Sequence, residues 1–239
     1  MGLPKLESVT YDLVIPSTGE NVQFRPFVVK EEKVLLTALE SNDATQISRA
    51  MRDIVKTCTF NNVKVETLAM FDLEYIFLKL RAKSVGEVAE IGIKCSTKEC
   101  GHMNNVQVNI DQIEISGNPT LEENIQLTDT IGVTVKAPTV ERTENLLKGS
   151  KINSEIDLVI SLIIASIVSI YDADKVYPAI DSTPEELNEF VDSLNKEQFG
   201  KLQTFFENFP KLKKEISFTC TECGKEQTQA LEGLTDFFG

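Results

Sequence analysis

The chain has 239 residues, with 24 lysines and arginines against 37 aspartates and glutamates, and its formal net charge is −13. This acidic excess disfavours a polyanion as the main partner, because binding to phosphates requires a concentrated basic face. At 41% hydrophobic residues the composition excludes a disordered chain, and five cysteines are too few for a disulfide scaffold.

The chain opens without an apolar stretch of signal-peptide length, so the sequence predicts no secretion signal. An almost unbroken apolar segment occurs at residues 158–171, but its 14 residues are fewer than the roughly 20 that a helix needs to cross a bilayer. Ser161, Ser166 and Ser169 interrupt it. We therefore expect a buried core helix at this place and no membrane partner.

The first part of the chain predicts a hairpin followed by three helices. Apolar residues alternate at 11–15 and 22–24, on either side of a turn that contains Pro16 and Gly19. Helical spacing then marks the segments 30–41, 44–58 and 66–83, and Asp43 is placed to cap the second of them. We expect these helices to pack together.

From residue 88 the apolar period changes to two, which is typical of strands. The alternating apolar positions are Ala89, Ile91, Ile93, Cys95, Val106, Val108, Ile110, Ile131, Val133 and Val135. Residues 87–137 are therefore predicted to be a β region.

Helical signals return after this region. Thr139 is placed to cap a short helix that Gly149 ends, and Ser154 with Asp157 is placed to begin the apolar segment. The run 183–186 (TPEE) combines a capping residue, proline at the first helical position and glutamate three residues after the cap. It is the clearest local signal in the sequence.

The last part of the chain predicts a helix, a strand and a short tail. The helix contains Phe199 and stops at Pro210, and the strand covers residues 215–219 before a turn with two cysteines. The tail, 231–238, brings Leu231, Leu234, Phe237 and Phe238 close together. Exposed, these side chains would form a docking patch; we favour the alternative that they cover the protein's own core.

This order of elements predicts an α+β fold, with helical segments around a central β region. The predicted parts are an N-terminal hairpin and helical segment (1–86), the β region with a first cysteine pair (87–137), and a helical segment that ends in a second cysteine pair (138–239). With no repeat of fixed period and no serine- and glycine-rich linker, we expect these parts to form one intertwined domain.

Four of the five cysteines occur as two close pairs, Cys95 with Cys100 and Cys220 with Cys223. Each pair lies in a short loop between strand-like sequences, and a glycine follows its second cysteine. Two thiolates from such a turn form half of a tetrahedral Zn²⁺ site, so two turns supply four ligands. We therefore predict a structural zinc ribbon formed from two distant hairpins, with 119 residues between Cys100 and Cys220.

Disulfides, unpaired core thiols and a redox pair are the alternatives for these cysteines. A protein that stays inside the cell disfavours disulfides, and isolated core cysteines rarely occur as paired turns. A thioredoxin-like use of Cys220 and Cys223 would require that the motif open a helix, whereas Ile216 and Phe218 lead into it as a strand. We favour the metal.

His102, the single histidine, lies two residues beyond Cys100. It could replace that cysteine as a ligand or support the site from outside, but we favour an exposed position. Cys58 lies on the apolar stripe of its predicted helix and is expected to be a small core residue.

Other chemistry has little support. Nucleophile, metalloprotease and glycine-rich phosphate-loop motifs are missing from the sequence. We interpret an acidic run as a solvated face that could also meet a basic partner protein. Its members are Asp172, Asp174, Asp181, Glu185, Glu186, Glu189 and Asp192. The lysines Lys211, Lys213 and Lys214 form a small basic patch, which is weak evidence for nucleic-acid binding in so acidic a chain.

Several segments resemble the baseplate hub assembly proteins of T-even-type contractile-tailed bacteriophages. They are residues 24–33 (FRPFVVKEEK), 35–41 (LLTALES), 129–133 (DTIGV), 136–138 (KAP) and 236–238 (DFF). The resemblance is one of overall pattern across most of the chain and transfers no binding residues. It implies a non-enzymatic protein that helps to build the central hub of the tail baseplate.

The functional expectation is therefore a phage tail assembly or structural protein with a structural Zn²⁺ and no catalytic or small-molecule site. Its partners would be other phage tail or baseplate hub proteins. We expect it in the host cytoplasm during assembly, and the sequence leaves two alternatives open afterwards: a resident of the virion tail baseplate, or an assembly factor that leaves. The alternative is a zinc-ribbon module associated with nucleic acid, and a third reading is a metalloenzyme or thiol oxidoreductase.

Overall fold

The computed structural model describes residues 6–41, 43–119, 122–149 and 154–237. The helices are α1 (Val29–Glu40), α2 (Ala44–Cys58), α3 (Met70–Val85), α4 (Val140–Gly149), α5 (Glu155–Ser166), α6 (Pro184–Asp192) and α7 (Lys196–Glu207). The strands are β1 (Tyr11–Val14), β2 (Asn21–Phe24), β3 (Val88–Lys94), β4 (Met103–Asn109), β5 (Glu114–Ser116), β6 (Glu122–Gln126), β7 (Gly132–Lys136), β8 (Ile167–Tyr171), β9 (Val176–Pro178), β10 (Lys211–Thr219) and β11 (Glu226–Glu232). The protein is thus α+β, as the sequence predicted.

The chain divides into two compact units. The first contains residues 1–65, 71–116 and 211–239, and the second contains residues 66–70 and 117–210. The predicted division at residues 86 and 137 stays a prediction. The C-terminal hairpin, β10 and β11, belongs to the first unit. Along the chain, residues 117–210 of the second unit separate it from the rest of the first unit.

The first unit contains two hairpins that matter for the candidate site. Strands β3 and β4 pair antiparallel, and β10 pairs antiparallel with both β11 and β5. Alternate residues of these strands form one core with α3, as their period of two predicts. The core consists of Leu78, Ala82, Ala89, Ile91, Ile93, Val108, Ile110, Ile113, Leu212, Ile216, Leu231 and Phe237.

The C-terminal tail belongs to this core. Leu231 and Phe237 are buried, and Leu234 packs against the same cluster. The favoured alternative for the tail is therefore confirmed for these residues, whereas Phe238 lies outside the described residues. Leu231, near the end of β11, and Phe237, after it, therefore pack the C-terminal hairpin against the core of the first unit.

The second unit is an antiparallel sheet covered by helices. Its strand order is β6-β7-β8-β9. Residues from β7, α5, β8, α6 and α7 share one core, with Val133, Ile163, Ile167 and Leu202 fully buried. Within the described residues, no helix is long and apolar enough to cross a membrane.

The apolar segment 158–171 differs from its prediction as one core helix. Helix α5 ends at Ser166, and residues 167–171 form β8, which pairs with β7 and β9. A continuous apolar run does not distinguish a buried helix from a buried strand, and isoleucine, valine and tyrosine favour the strand. The prediction was therefore wrong for the second part of the segment.

The local helix signals are confirmed. The side chains of Asp43, Ser154 and Thr183 each accept a backbone N–H at the start of α2, α5 and α6, and Glu186 completes the capping box. Thr139 accepts the N–H of Arg142 at the start of α4. The predicted N-terminal hairpin is present as β1 and β2.

Candidate metal centre

The first knuckle, which we define as residues 95–102, joins β3 to β4. The N–H of Cys95 donates to the carbonyl of His102 over 2.8 Å, which closes the loop, and the N–H of Cys100 donates to Thr97 over 2.9 Å. Gly101 has φ +60°, a left-handed conformation that glycine adopts without steric cost. The turn therefore points both thiols of the knuckle to the same side.

The second knuckle, residues 220–225, joins β10 to β11 in the same manner. The N–H of Cys220 donates to Lys225 over 3.0 Å, and the N–H of Gly224 donates back to Cys220 over 2.9 Å. Gly224 has φ +68°, close to the value at Gly101. The glycine after each cysteine pair thus has the role that the sequence pattern predicts.

The two knuckles meet. The four Sγ atoms all lie within 4.8 Å of one another, and both the Cys95–Cys223 and the Cys100–Cys220 distances are 3.8 Å. A tetrahedral zinc ion holds sulfur at about 2.3 Å, which places its ligands about 3.8 Å apart. A disulfide would require about 2.05 Å, and all five cysteines are free. The donor set therefore fits a single thiolate-bound ion.

The surroundings of Cys220 in the second knuckle favour its thiolate form. The backbone N–H of Cys223, together with other donors that include the Asn104 amide, lowers the pKa of Cys220 to about 6. Cys220 is also buried, with 1% of its surface exposed. A buried sulfur that ionises near neutral pH is a good ligand, because the thiolate is the form that binds metal.

In the first knuckle, the pKa values of the two thiols are shifted in opposite directions. The hydroxyl and the backbone N–H of Thr97 lower the pKa of Cys95. The backbone N–H of His102 also lowers the pKa of Cys100, but burial and the neighbouring sulfurs outweigh it and raise that pKa to about 12. Four sulfurs this close cannot all carry a negative charge unless a cation compensates them. The cluster could hold a metal ion for this reason.

The candidate metal-binding cluster includes neither Cys58 nor the ring of His102. Cys58 is fully buried in α2, and burial raises its pKa to about 11, as suits the core residue that was predicted. His102, at the end of the first knuckle, is half-buried rather than exposed as we expected, and its ring is not a member of the cluster. Its backbone carbonyl, rather than its ring, contributes to the loop.

The acidic run and the basic patch have structural partners. Six of the seven acidic residues between Asp172 and Asp192 are exposed, and the Asp172 carboxylate accepts hydrogen bonds from Asp174, Lys175 and Tyr177. In the basic patch, Lys211 and Lys213 both pair with Glu232. Neither feature adds a second candidate site.

Two residues near the cluster escaped the sequence analysis. Asn104 and Gln227 each extend from one hairpin to the other knuckle. The sequence contains a signal for Asn104, because this polar residue lies two positions before Val106, in phase with the apolar residues of β4. In the structure its side chain is correspondingly buried, with 3% exposed. No comparable signal marks Gln227, because its strand is polar along most of its length.

Comparisons with known proteins place the chain in a family. Searches of curated proteins and of solved structures gave no match. The family model described as "T4 bacteriophage base plate protein" matches residues 8–239, which is nearly the whole chain and includes both knuckles. The chain therefore belongs to the T4 bacteriophage base plate protein family.

Proposed function

We propose that this chain is a non-enzymatic component of the phage tail baseplate, acting in hub assembly or structure through contacts with other proteins. The family match over residues 8–239 is the observation that carries this proposal. It agrees with the resemblance to hub assembly proteins, which rests on segments from both ends of the chain. The partners would be other phage tail or baseplate hub proteins.

We also propose that Cys95, Cys100, Cys220 and Cys223 hold a structural Zn²⁺. The sulfur separations support this assignment, since two of them are 3.8 Å, the spacing in a tetrahedral zinc site, and all four sulfurs lie within 4.8 Å of one another. The ion would convert the two hairpins into a zinc ribbon. It would also fix the C-terminal hairpin to β3 and β4, and structural zinc contributes on the order of 10 kcal/mol to folding in small peptides.

A site of this kind would have no catalytic role. Four cysteine ligands fill a tetrahedral zinc ion, whereas catalytic zinc keeps one position for water or substrate. The only histidine of the sequence, His102, is outside the sulfur cluster. Both observations support a structural ion in a protein that works by binding other proteins.

The nucleic-acid alternative loses support from the basic patch. Glu232 neutralises part of the charge of Lys211 and Lys213, and the chain as a whole carries −13. Contacts with phosphates require free cations concentrated on one face. We therefore propose that nucleic acid is not a partner. The baseplate family supports a location in the host cytoplasm during assembly or in the virion tail.

Metal analysis combined with co-purification tests the proposal. We expect one zinc per chain in protein purified without chelators, and recovery of baseplate or tail proteins with a tagged chain from infected cells. Mass spectrometry of purified virions then separates a resident component from an assembly factor that leaves. Lack of association with any tail component would contradict the proposed role, and lack of zinc would contradict the proposed site.

A further inference from the structure

Two amide side chains cross between the knuckles at equivalent positions. Asn104 lies two residues after His102, whose carbonyl closes the first knuckle, and Gln227 lies two residues after Lys225, whose carbonyl closes the second. Each side chain extends to the residue that follows the first cysteine of the opposite knuckle. The two hairpins thus hold one another reciprocally.

Asn104 links the first hairpin to Thr221 in the second knuckle. Its Oδ1 accepts the backbone N–H of Thr221 over 2.9 Å and the Thr221 hydroxyl over 3.1 Å. Its Nδ2 donates to the carbonyl of His102 over 3.2 Å and contacts the Sγ of Cys220 at 3.6 Å. One buried amide therefore connects both loops and a sulfur.

Gln227 makes the matching connection in the opposite direction. Its Oε1 accepts the backbone N–H of Ser96 over 3.0 Å and the Ser96 hydroxyl over 2.6 Å. Its Nε2 donates to the hydroxyl of Thr97 over 3.4 Å. In both cases a single amide oxygen binds a backbone N–H and a hydroxyl of one residue.

The sulfur contacts have the same reciprocal arrangement. The first cysteine of each knuckle lies 3.8 Å from the second cysteine of the other, since the close pairs are Cys95–Cys223 and Cys100–Cys220. The sulfur contacts and the amide contacts thus follow the same reciprocal pattern between the two hairpins. Shifting one knuckle along the other would break the amide contacts and the sulfur contacts together.

The amide oxygens bind Thr221 and Ser96 rather than the sulfurs, so these contacts do not require a metal ion. A network of this kind orients ligands before binding, and outer residues that orient the ligands typically change metal affinity about 10- to 100-fold when they are replaced. We infer that Asn104 and Gln227 are positioning residues that hold the two knuckles in register, so that the four sulfurs have the coordination geometry before the ion binds. The inference rests on the proposed zinc site.

The two amides should not contribute equally. Asn104 is 3% exposed and approaches a sulfur, whereas Gln227 is half-buried and contacts hydroxyl and backbone groups only. Loss of the Asn104 amide leaves the buried Cys220 sulfur without one of its hydrogen-bond donors, which costs more than the loss of a donor to a group that water can reach. Replacement of Asn104 should therefore weaken metal retention more than replacement of Gln227.

Matched alanine variants test the inference. The variants are Asn104→Ala and Gln227→Ala, and the controls are Asn105→Ala and Gln229→Ala, which remove the same side chains from exposed positions on the same strands. The transfer of zinc from each folded, loaded protein to a coloured chelator gives the release rate. We expect release to be about 10- to 100-fold faster for Asn104→Ala, and faster by a smaller factor for Gln227→Ala. Both controls should behave as the unaltered protein.

Replacing zinc by cobalt provides a second measurement, the absorption band of the thiolate–cobalt bonds. A loss of protein stability alone would not shift this band. The Asn104→Ala variant loses a donor to the Cys220 sulfur, so its thiolate-to-cobalt absorption band should shift, whereas the band of Gln227→Ala should stay in place. Asn104→Asp keeps the oxygen that binds Thr221 but loses the donor, and its band should shift as well. Gln227→Ala keeps the test valid if the buried Asn104 variants fail to fold.

The possible failures are distinguishable. If the unaltered protein holds no zinc or cobalt, the proposed metal site is wrong and this inference falls with it. If the unaltered protein holds zinc but Gln227→Ala and Asn104→Ala release it at the rate of their controls, the inference alone is overturned. An unshifted cobalt band in Asn104→Ala would contradict the contact between the amide and the sulfur.

Discussion

The Sγ atoms of Cys95 and Cys223 lie 3.8 Å apart although the two residues are 128 positions apart in the chain. Bringing such distant segments together has an entropic cost that increases with the logarithm of the loop length. A single ion bound to both sulfurs would offset that cost, because binding that occurs only in the folded state adds to its stability. The strength of the metal site and the stability of the first unit should therefore change together.

Replacing one proposed ligand should remove the metal and reduce stability. Cys223 is the most suitable position because its side chain is exposed, so Cys223→Ala leaves no cavity in the core. We expect the zinc content to fall from one per chain to near zero. The free energy of unfolding should decrease by several kcal/mol, as structural zinc sites contribute directly to folding. Metal analysis and urea unfolding measure the two quantities.

Cys58→Ala is the matched control for this prediction. Cys58 is fully buried in α2, so its replacement should lower stability through lost packing but leave the zinc content unchanged. In excess chelator, Cys223→Ala and the unaltered protein should unfold at the same urea concentration. A stability difference that persists in chelator would show that Cys223 acts through something other than the metal.

The half-buried carboxyl group of Glu74 should make stability depend on pH. Burial raises the pKa of Glu74 to about 7 from its ordinary value of 4.5. A carboxyl whose pKa is higher in the folded state binds a proton more tightly there, so its contribution to stability is greatest below pH 4.5 and is lost as the pH rises to 7. Glu74→Gln should therefore be more stable than the unaltered protein at pH 8, by up to about 3 kcal/mol.

The difference between the two unfolding curves isolates this group from other titrating groups. It should be small at pH 4.5 and increase up to about pH 7, where it becomes constant. If the difference for Glu74→Gln does not vary over this range, the Glu74 carboxyl is not desolvated in the folded protein.

Much of the fold could be predicted because the relevant signals are local. The capping box of Thr183 and Glu186 and the cap at Asp43 depend on residues within one helical turn, and both occur where they were predicted. The cysteine turns are similarly local, since the spacing and the following glycine specify the loop. That the two turns would meet was an inference from ligand number, because a tetrahedral ion requires four ligands and each turn supplies two thiolates.

The features that were missed depend on tertiary pairing. Residues 167–171 form a strand because β7 and β9 accept their backbone groups, and neither partner can be identified from the apolar run itself. Asn104 and Gln227 are similar cases. Their partners, Thr221 and Ser96, lie more than a hundred positions away and have no pattern that connects them in the sequence.

Ser17 should be a stabilising residue despite its place in a turn. Its N–H and hydroxyl donate to the carboxyl oxygens of Asp72 over 3.0 and 2.5 Å, and Asp72 is fully buried in α3. Ser17→Ala removes the hydroxyl donor from a buried carboxyl, so we expect a loss of about 1–3 kcal/mol in the free energy of unfolding. Urea unfolding measures this loss.

The neighbouring Thr18 provides a control for the Ser17 prediction. Thr18 is exposed and accepts one hydrogen bond, from the N–H of Glu20 over 3.2 Å. Thr18→Ala should therefore change stability by less than about 1 kcal/mol, because water can replace the lost partner. Equal losses for the two alanine variants would contradict a special role for the contact between Ser17 and Asp72.

Gly132 should resist substitution because of Tyr171. The two residues are cross-strand partners in β7 and β8, and a Cβ atom at position 132 would overlap the tyrosine ring. Gly132→Ala would thus displace a side chain whose hydroxyl donates to Gln126 over 3.2 Å. We expect a destabilisation of about 1 kcal/mol, at the low end of the range for overpacking, because the overlapped atoms are at the tip of a half-buried side chain that can move. Thermal or urea unfolding of the purified variant measures it.

A second strand glycine separates this effect from strand propensity. Gly92 on β3 has open space, since an added Cβ would meet only Met103 at an ordinary 3.7 Å. Gly92→Ala should be neutral or slightly stabilising, because alanine loses less backbone freedom than glycine on folding. Relative to Tyr171→Ala alone, the double variant Gly132→Ala/Tyr171→Ala should show no further loss, since the overlapping ring is gone. If Gly132→Ala destabilises the Tyr171→Ala variant as much as it destabilises the unaltered protein, the ring of Tyr171 is not the cause.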